Sequence, residues 1–507
     1  MKIINKKVLI SNIFLSLVGQ IAPLAAAIFA IPALLEVIGP DRLGLVALAW
    51  GVLGYFSLFD LGIGRALTQK VAVHLELGES ELISTTLWAS LLLLSSIGIL
   101  GAFFLYMLTP WIVYSILNIP IHLLSEVEAS FLLLSLSIPI VVFSSGLRGL
   151  LEGLGQFGKV NLVRVPIGIL TFLVPLIVAK LNNNLVWVIF SLVLIRIFGL
   201  FAQFIYCIKA WPRIFPIPKL RSIRLKSLME LSGWMALSNI MGPFLVYLDR
   251  FVVGSVITLS AVSIYVVPYE IVTKLWIIVG SITTVFFPAF AASSIGEREA
   301  ASELHSWSVK CVFILLLPLT LVIVFVAPEL MKFWLGSNFS FESAKVMRWL
   351  AVGVFLNSFG QIYFTIIQGM GRPDITAKLY FFELPVYIIA IYFLTKHFGV
   401  QGTAICWTFR IIVDTGMLIF YSRKYVVLMP VNIIRLVVPS AFLLTAFFIS
   451  LFMKNIDARV IVLIITELLL IPIIWFFVLN KIDREYLKKS FYHLFARFHF
   501  FKIITNK

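Results

Sequence analysis

Residues 152–158 read EGLGQFG, and Gly153, Gly155 and Gly158 within them form the pattern G-x-G-x-x-G. In nucleotide-binding proteins this pattern follows a β-strand and holds a pyrophosphate at the start of a helix. Here the pattern follows a long apolar run, and the related stretch IQGMGR at 367–372 keeps only two of the glycines. We therefore predict tight turns between helices at both places rather than a nucleotide site.

Charged residues inside the apolar runs are the second group that could do chemistry. A charge at the centre of a bilayer costs roughly 2.5–3.5 kcal/mol, so it faces a cavity or a partner. Arg164 and Arg196 have no acidic residue three or four positions away. We predict that both face a hydrated cavity suited to an anion, because guanidinium groups bind phosphate with two parallel hydrogen bonds.

Two further charged pairs have the spacing of neighbours on one helix face. They are Glu270 with Lys274 and Arg410 with Asp414, each four residues apart. This spacing allows the two charges to neutralise each other within the helix. The sequence leaves structural pairing and a role in the cavity equally open for these four residues.

The composition shows which elements must position these charges. The chain has 507 residues, of which 61% are hydrophobic and 13% charged, with a mean hydropathy of +1.06. These values exclude a soluble globular protein. Runs of about 20 apolar residues predict an all-α integral membrane protein with about fourteen transmembrane helices.

The formal net charge of +16 follows from topology rather than from nucleic-acid binding. Lysines and arginines gather in alternate connecting segments, above all in 209–226, which contains no acidic residue. The positive-inside rule then places both termini in the cytoplasm. We expect a multi-pass membrane protein that binds no nucleic acid.

An internal repeat divides the chain. LEGLGQ at 151–156 returns as IQGMGR at 367–372, and GKVNLVRVP at 158–166 resembles AKLYFFELP at 377–385. The offset of about 215 residues spans six predicted helices, which makes the repeat parallel. The predicted units are an N-terminal six-helix bundle at 1–210, a basic cytoplasmic linker at 211–229, a C-terminal six-helix bundle at 230–424, two further helices at 425–480 and a basic tail at 481–507.

Several kinds of chemistry have no pattern in this chain. There is no Walker A motif, no metal-ligand spacing among the scattered histidines and cysteines, and no nucleophile elbow. We predict no catalytic residue, no metal and no cofactor, and therefore a protein that is not an enzyme.

The order of short motifs resembles a known family over essentially the whole chain. They are VIGPDRLGLVALA, YFSLFDLGIGRALTQ, LRGLLEGLGQF, LDRFVVGSVI, YVVPYEI, FFPAFA and IIQGMGRPDITAK. Together they resemble the Wzx-type O-antigen or polysaccharide flippases, the polysaccharide transporter family of the MOP superfamily.

The resemblance implies two six-helix bundles that form a V, with two extra C-terminal helices. It implies transport of an undecaprenyl-pyrophosphate-linked glycan from the cytoplasmic to the periplasmic leaflet of the bacterial inner membrane by alternating access. The expected partners are this lipid-linked glycan, membrane lipid and other polysaccharide assembly proteins. A basic cavity would hold the substrate, and its candidate residues are Arg164, Arg196, Arg250, Lys274 and Arg410. The candidates for ion coupling are Asp60, Glu270, Glu383 and Asp414.

Three alternatives remain open. A lipid II flippase shares the superfamily, but it carries basic residues within its first two helices. A multidrug exporter has a more acidic cavity and usually twelve helices. A membrane polysaccharide polymerase is an enzyme, and we would expect a large periplasmic loop and no internal repeat.

Overall fold

The structure is a computed structural model that describes residues 6–56, 60–116, 119–182, 184–215, 225–257, 259–293, 298–335, 340–426, 433–453, 455–479 and 484–485. Residues 216–224 of the predicted basic linker and most of the predicted basic tail lie outside the described residues. The described part is helical and contains no β-strand. This is expected in lipid, where a helix satisfies its own backbone hydrogen bonds.

Fourteen α-helices form this part of the chain, and ten described helices are long and apolar enough to cross a membrane. Their bounds are α1 (Lys6–Phe56), α2 (Ile63–Leu77), α3 (Ser80–Trp111), α4 (Leu124–Gly153), α5 (Phe157–Leu181), α6 (Leu185–Ala210), α7 (Leu225–Val256), α8 (Leu259–Thr273), α9 (Trp276–Ser293), α10 (Arg298–Leu335), α11 (Ser340–Gly369), α12 (Pro373–Val426), α13 (Ile433–Phe452) and α14 (Ile456–Ile473).

The two longest helices each contain a sharp break at a glycine. In α1 the backbone leaves the helical region at Gly39, with φ 78° and ψ 170°. In α12 it does so at Gly399, with φ 61° and ψ −148°. Each of these helices therefore has two arms, which correspond to the pairs of spans predicted on either side of these glycines.

Two of the apolar runs that predict single transmembrane helices, at 43–63 and 262–291, are interrupted in the structure. Helix α1 ends at Phe56 and α2 begins at Ile63, while α8 ends at Thr273 and α9 begins at Trp276. At the first interruption Leu61 and Gly62 adopt left-handed φ angles of 49° and 72°. The Asp60 carboxylate accepts a hydrogen bond from the Gly62 N–H at 2.9 Å, which stabilises this turn.

The packing of the helices follows the internal repeat. In the first half α3 packs on α4, and α1 and α6 pack on α5. In the second half α10 packs on α11, and α7 and α11 pack on α12. The halves meet through α1 against α9 and through α2 against α7 and α9, while α13 and α14 pack on α10. The bundle boundaries given above stay a prediction.

The glycine-rich stretch at 153–158 forms a turn between two helices. Gly155 has φ +69°, the Gln156 N–H donates to the Leu151 carbonyl at 2.8 Å, and the Gly155 N–H donates to the Glu152 carbonyl. The turn after α11 is the same, because Gly371 has φ +77° and the Arg372 N–H donates to the Ile367 carbonyl at 3.0 Å. Both are glycine-dependent helix C-terminal caps.

Candidate functional site

A cavity of about 560 Å³ lies between the two halves, and we call it the central cavity. Four arginines line it, together with three carboxylates. The first half contributes Arg65, Arg148, Arg164, Asp60 and Glu152, and the second half contributes Arg410 and Asp414. The cavity therefore combines a small cationic excess with several hydrogen-bond acceptors.

The interruption after α1 positions the charges on the first half. Asp60 is buried in the turn, and Arg65 follows it in the first residues of α2, where its side chain is exposed to the cavity. Helix α2 lies close against α4, because a Cβ atom on Gly149 would stand 2.6 Å from the Gly64 carbonyl oxygen. This close approach brings Arg148 beside Arg65.

The second half supplies a neutral polar wall. Asn357, Gln361 and Thr365 are four residues apart along α11 and all line the central cavity. That spacing places them in one stripe on a helix face. The remaining polar neutral residues of this wall, on α7 and α9, are Ser238, Asn239, Thr283 and Thr284.

A second cavity, of about 520 Å³, lies mainly within the first half, and we call it the side chamber. Residues of α1, α4, α5 and α6 line it, with Ile277 of α9. Arg196 and Gln203 face it from α6, and Arg148 and Arg164 line both cavities. Arg164 and Arg196, the two arginines singled out from the sequence, thus both line the side chamber.

Three other candidate residues, Arg250, Glu270 and Lys274, form a cluster outside the two cavities. Glu270 accepts a hydrogen bond from Arg250 at 2.8 Å and one from Lys274 at 3.3 Å. The spacing of Glu270 and Lys274 predicts the second of these contacts. Neither cation is among the lining residues of the central cavity or of the side chamber.

Arg410 has a different partner from the one its spacing suggests. Its Nε atom lies 3.8 Å from Glu383 Oε1, and the side chains of both residues are 10% exposed. Its guanidinium also lies 5.0 Å from the ring centre of Tyr387. Asp414 is buried, and its Oδ1 atom has no hydrogen-bond partner among the described residues.

Sequence reasoning missed three cavity residues, Arg65, Arg148 and Glu152. The two arginines lie at the ends of apolar runs, where lysines and arginines are common on the cytoplasmic side. The sequence could have indicated Arg148 and Glu152 as a pair, because they are four residues apart. In the structure their charged groups lie 3.9 Å apart. In the described part of the chain no group of three His, Cys, Asp or Glu residues could hold a metal ion.

Side-chain contacts between the halves gather toward the end where α4 meets α5 and α11 meets α12. Arg65 donates to Gln368 and Gln69 donates to the Gly369 carbonyl, both at 3.4 Å. Deeper in the protein Gln20 donates to Ser281 at 2.5 Å. The first two of these contacts join the halves at that end.

Comparison with known proteins shows to which family the chain belongs. Residues 9–294 match the family described as "Polysaccharide biosynthesis protein". The chain belongs to this family. This confirms the resemblance to the polysaccharide transporters that the sequence motifs indicated.

Two curated relatives of this family member come from different organisms. A "Putative O-antigen transporter" of Shigella flexneri is 28% identical, over 81% of this chain and 96% of the relative. A "Probable low-salt glycan biosynthesis flippase Agl15" of Haloferax volcanii is 24% identical, over 40% of this chain and 43% of the relative.

Solved structures show that this family member has the fold of the MOP superfamily. An outward-facing multidrug resistance MATE family transporter superposes with a TM-score of 0.70 at 17% identity, covering 83% of this chain and 95% of that one. A MOP superfamily transporter from Pyrococcus furiosus superposes with a TM-score of 0.69 at 16% identity, with the same coverage. The protein is a multi-pass helical membrane protein with the architecture of these transporters.

Proposed function

We propose that this protein is a flippase for an undecaprenyl-pyrophosphate-linked oligosaccharide, an O-antigen or similar surface polysaccharide unit. It would carry the headgroup from the cytoplasmic to the periplasmic leaflet of the bacterial inner membrane, with both termini in the cytoplasm. The protein would act as a transporter without catalysing a chemical reaction.

The observation that carries this proposal is the arginine lining of the central cavity and of the adjoining side chamber. Such a lining favours an anionic headgroup, and guanidinium groups match phosphate geometry. The amide and hydroxyl groups of Asn357, Gln361 and Thr365 suit the hydroxyl groups of sugars. The names of the Shigella and Haloferax relatives support the same class of substrate.

Alternating access would follow from the contacts between the halves. If the end where Arg65, Gln69 and Gln368 join the halves is cytoplasmic, as the distribution of positive charge predicts, we infer that the central cavity opens toward the periplasm. Breaking these contacts and forming new ones at the opposite end would expose the cavity to the cytoplasm. Glu383 and Asp414, which lie near Arg410, are the proposed sites of ion coupling.

A deletion strain tests the proposal. Its surface polysaccharide and its lipid-linked units on each leaflet would be measured, with the wild-type gene supplied on a plasmid as the control. Loss of surface glycan with intact units held on the cytoplasmic leaflet is the expected result. Single units displayed at the surface without long chains would indicate a polymerase and would refute the flippase assignment.

A further inference from the structure

The two cavities differ in the charge of their walls. The side chamber is lined by Arg148, Arg164 and Arg196, and none of its lining residues is acidic. The central cavity has four arginines, but three carboxylates stand among them. A group with two negative charges is therefore favoured more strongly in the side chamber, where no carboxylate in the wall repels it.

Arg196 is the charge that belongs to the side chamber alone. It lies in the middle of α6, and the described residues place no carboxylate within ion-pair distance of it. Its Nε atom is buried and has no hydrogen-bond partner in the described part of the protein, and the same holds for Trp50 Nε1 and Gln203 Oε1. Arg196 Nε and Trp50 Nε1 are donors and Gln203 Oε1 is an acceptor, and buried polar groups of this kind are costly unless a ligand satisfies them.

The central cavity combines a smaller cationic excess with neutral polar groups. The stripe of Asn357, Gln361 and Thr365 supplies neutral donors and acceptors, and Phe364 and Tyr380 contribute aromatic rings to the same wall. Neutral polar groups beside apolar and aromatic surface are typical of sites that orient an uncharged polar ligand. The carboxylates of the cavity accept hydrogen bonds from hydroxyl groups but repel phosphate.

The two cavities adjoin at residues that line both of them. Arg148 and Arg164 line the central cavity and the side chamber alike. A headgroup that extends from one cavity into the other would contact these two arginines at the junction.

We propose that the side chamber holds the diphosphate of the transported lipid and that the central cavity holds its sugars. Arg196 binds the diphosphate from the far side of the chamber, and Arg148 and Arg164 lie at the junction. This assignment rests on the flippase function proposed above and divides its binding site into two parts.

A matched pair of substitutions tests the division. Gln203 lines only the side chamber and Gln361 lines only the central cavity. Gln203→Glu and Gln361→Glu keep the shape of the side chain and add the same negative charge. Each variant would be purified in lipid nanodiscs, and its affinity for sugar-free undecaprenyl pyrophosphate would be measured by native mass spectrometry.

We expect Gln203→Glu to weaken binding of this lipid at least tenfold, which corresponds to about 1.4 kcal/mol. Gln361→Glu should change the affinity less than threefold. Arg196→Gln should reproduce the tenfold loss, and Arg196→Lys should recover most of it because the charge is kept. Size-exclusion profiles and thermal unfolding would establish that every variant is folded.

An equal or larger loss in Gln361→Glu would place the diphosphate in the central cavity and overturn the proposal. Unchanged affinity in both folded glutamate variants would overturn it as well. Failure of the wild-type protein to bind the lipid would instead refute the flippase function itself, so the two ideas fail in distinguishable ways. If Arg196→Gln does not fold, the two glutamate variants still decide the question.

Discussion

Replacing Arg148 by glutamine removes a cation that lines both cavities and lies beside Arg65. Arg148 has a side chain that is 40% exposed, and its nearest acid is Glu152 at 3.9 Å on the same helix. An ion pair of this length and exposure contributes about 0–1 kcal/mol to stability. We therefore expect the thermal unfolding temperature of Arg148→Gln to stay close to that of the wild type.

The effect on ligand binding should be much larger. A hydrogen bond from a charged donor to phosphate contributes about 1.5–3 kcal/mol, which corresponds to a loss of affinity of roughly tenfold to 150-fold. The assay is the binding of sugar-free undecaprenyl pyrophosphate in nanodiscs, together with the recovery of surface polysaccharide in the deletion strain. Both should fall in Arg148→Gln, and Arg148→Lys should recover part of each.

The matched control is Arg213→Gln, which removes the same charge from an exposed site after α6. Arg213 donates to Ser80 at 3.2 Å and lines neither cavity. Its replacement should leave binding and transport within twofold of the wild type. If Arg148→Gln binds the lipid and restores the polysaccharide as well as Arg213→Gln does, the arginine-lined cavities are not the headgroup site.

Three further outcomes follow from particular contacts. Gly371→Ala should lower the free energy of unfolding by about 1–2 kcal/mol, because an L-residue is strained at φ +77°; a thermal melt would show it, and an unchanged melting curve would contradict it. Glu329→Gln should lower the free energy of unfolding by about 1.5–3 kcal/mol, since it weakens the paired hydrogen bonds from the buried Arg459 that join α14 to α10. Headgroup affinity should not change, and a loss of affinity would indicate that this ion pair also affects the binding site. Lys274→Gln should leave transport within twofold of the wild type, because this exposed lysine contacts Glu270 and lines neither cavity. A stronger effect in the polysaccharide assay would contradict this expectation and support Lys274 as a substrate-binding residue.

The linear sequence was sufficient to predict the class of fold and the repeat. Lipid as the solvent admits only segments that satisfy their own backbone hydrogen bonds, so long apolar runs predict helices with little competition. The turns at Gly155 and Gly371 were predictable for a local reason, since a left-handed residue ends a helix and favours glycine. Arg164 and Arg196 stood out because an unpaired charge in an apolar run is costly.

The assembly of the cavities could be decided only by tertiary structure. From the sequence alone, Arg65 and Arg148 are ordinary interfacial cations. In the structure α1 ends at Phe56 and α2 packs closely against α4, and both arginines line the central cavity. Arg410 has its ion pair with Glu383, which is on the other arm of α12, rather than with Asp414 one turn away. Hydropathy shows where a charge is costly to bury, and helical spacing shows which residues are its neighbours on the same helix. Which charges meet depends on contacts between helices that are far apart in the chain, and those contacts are set by packing in three dimensions.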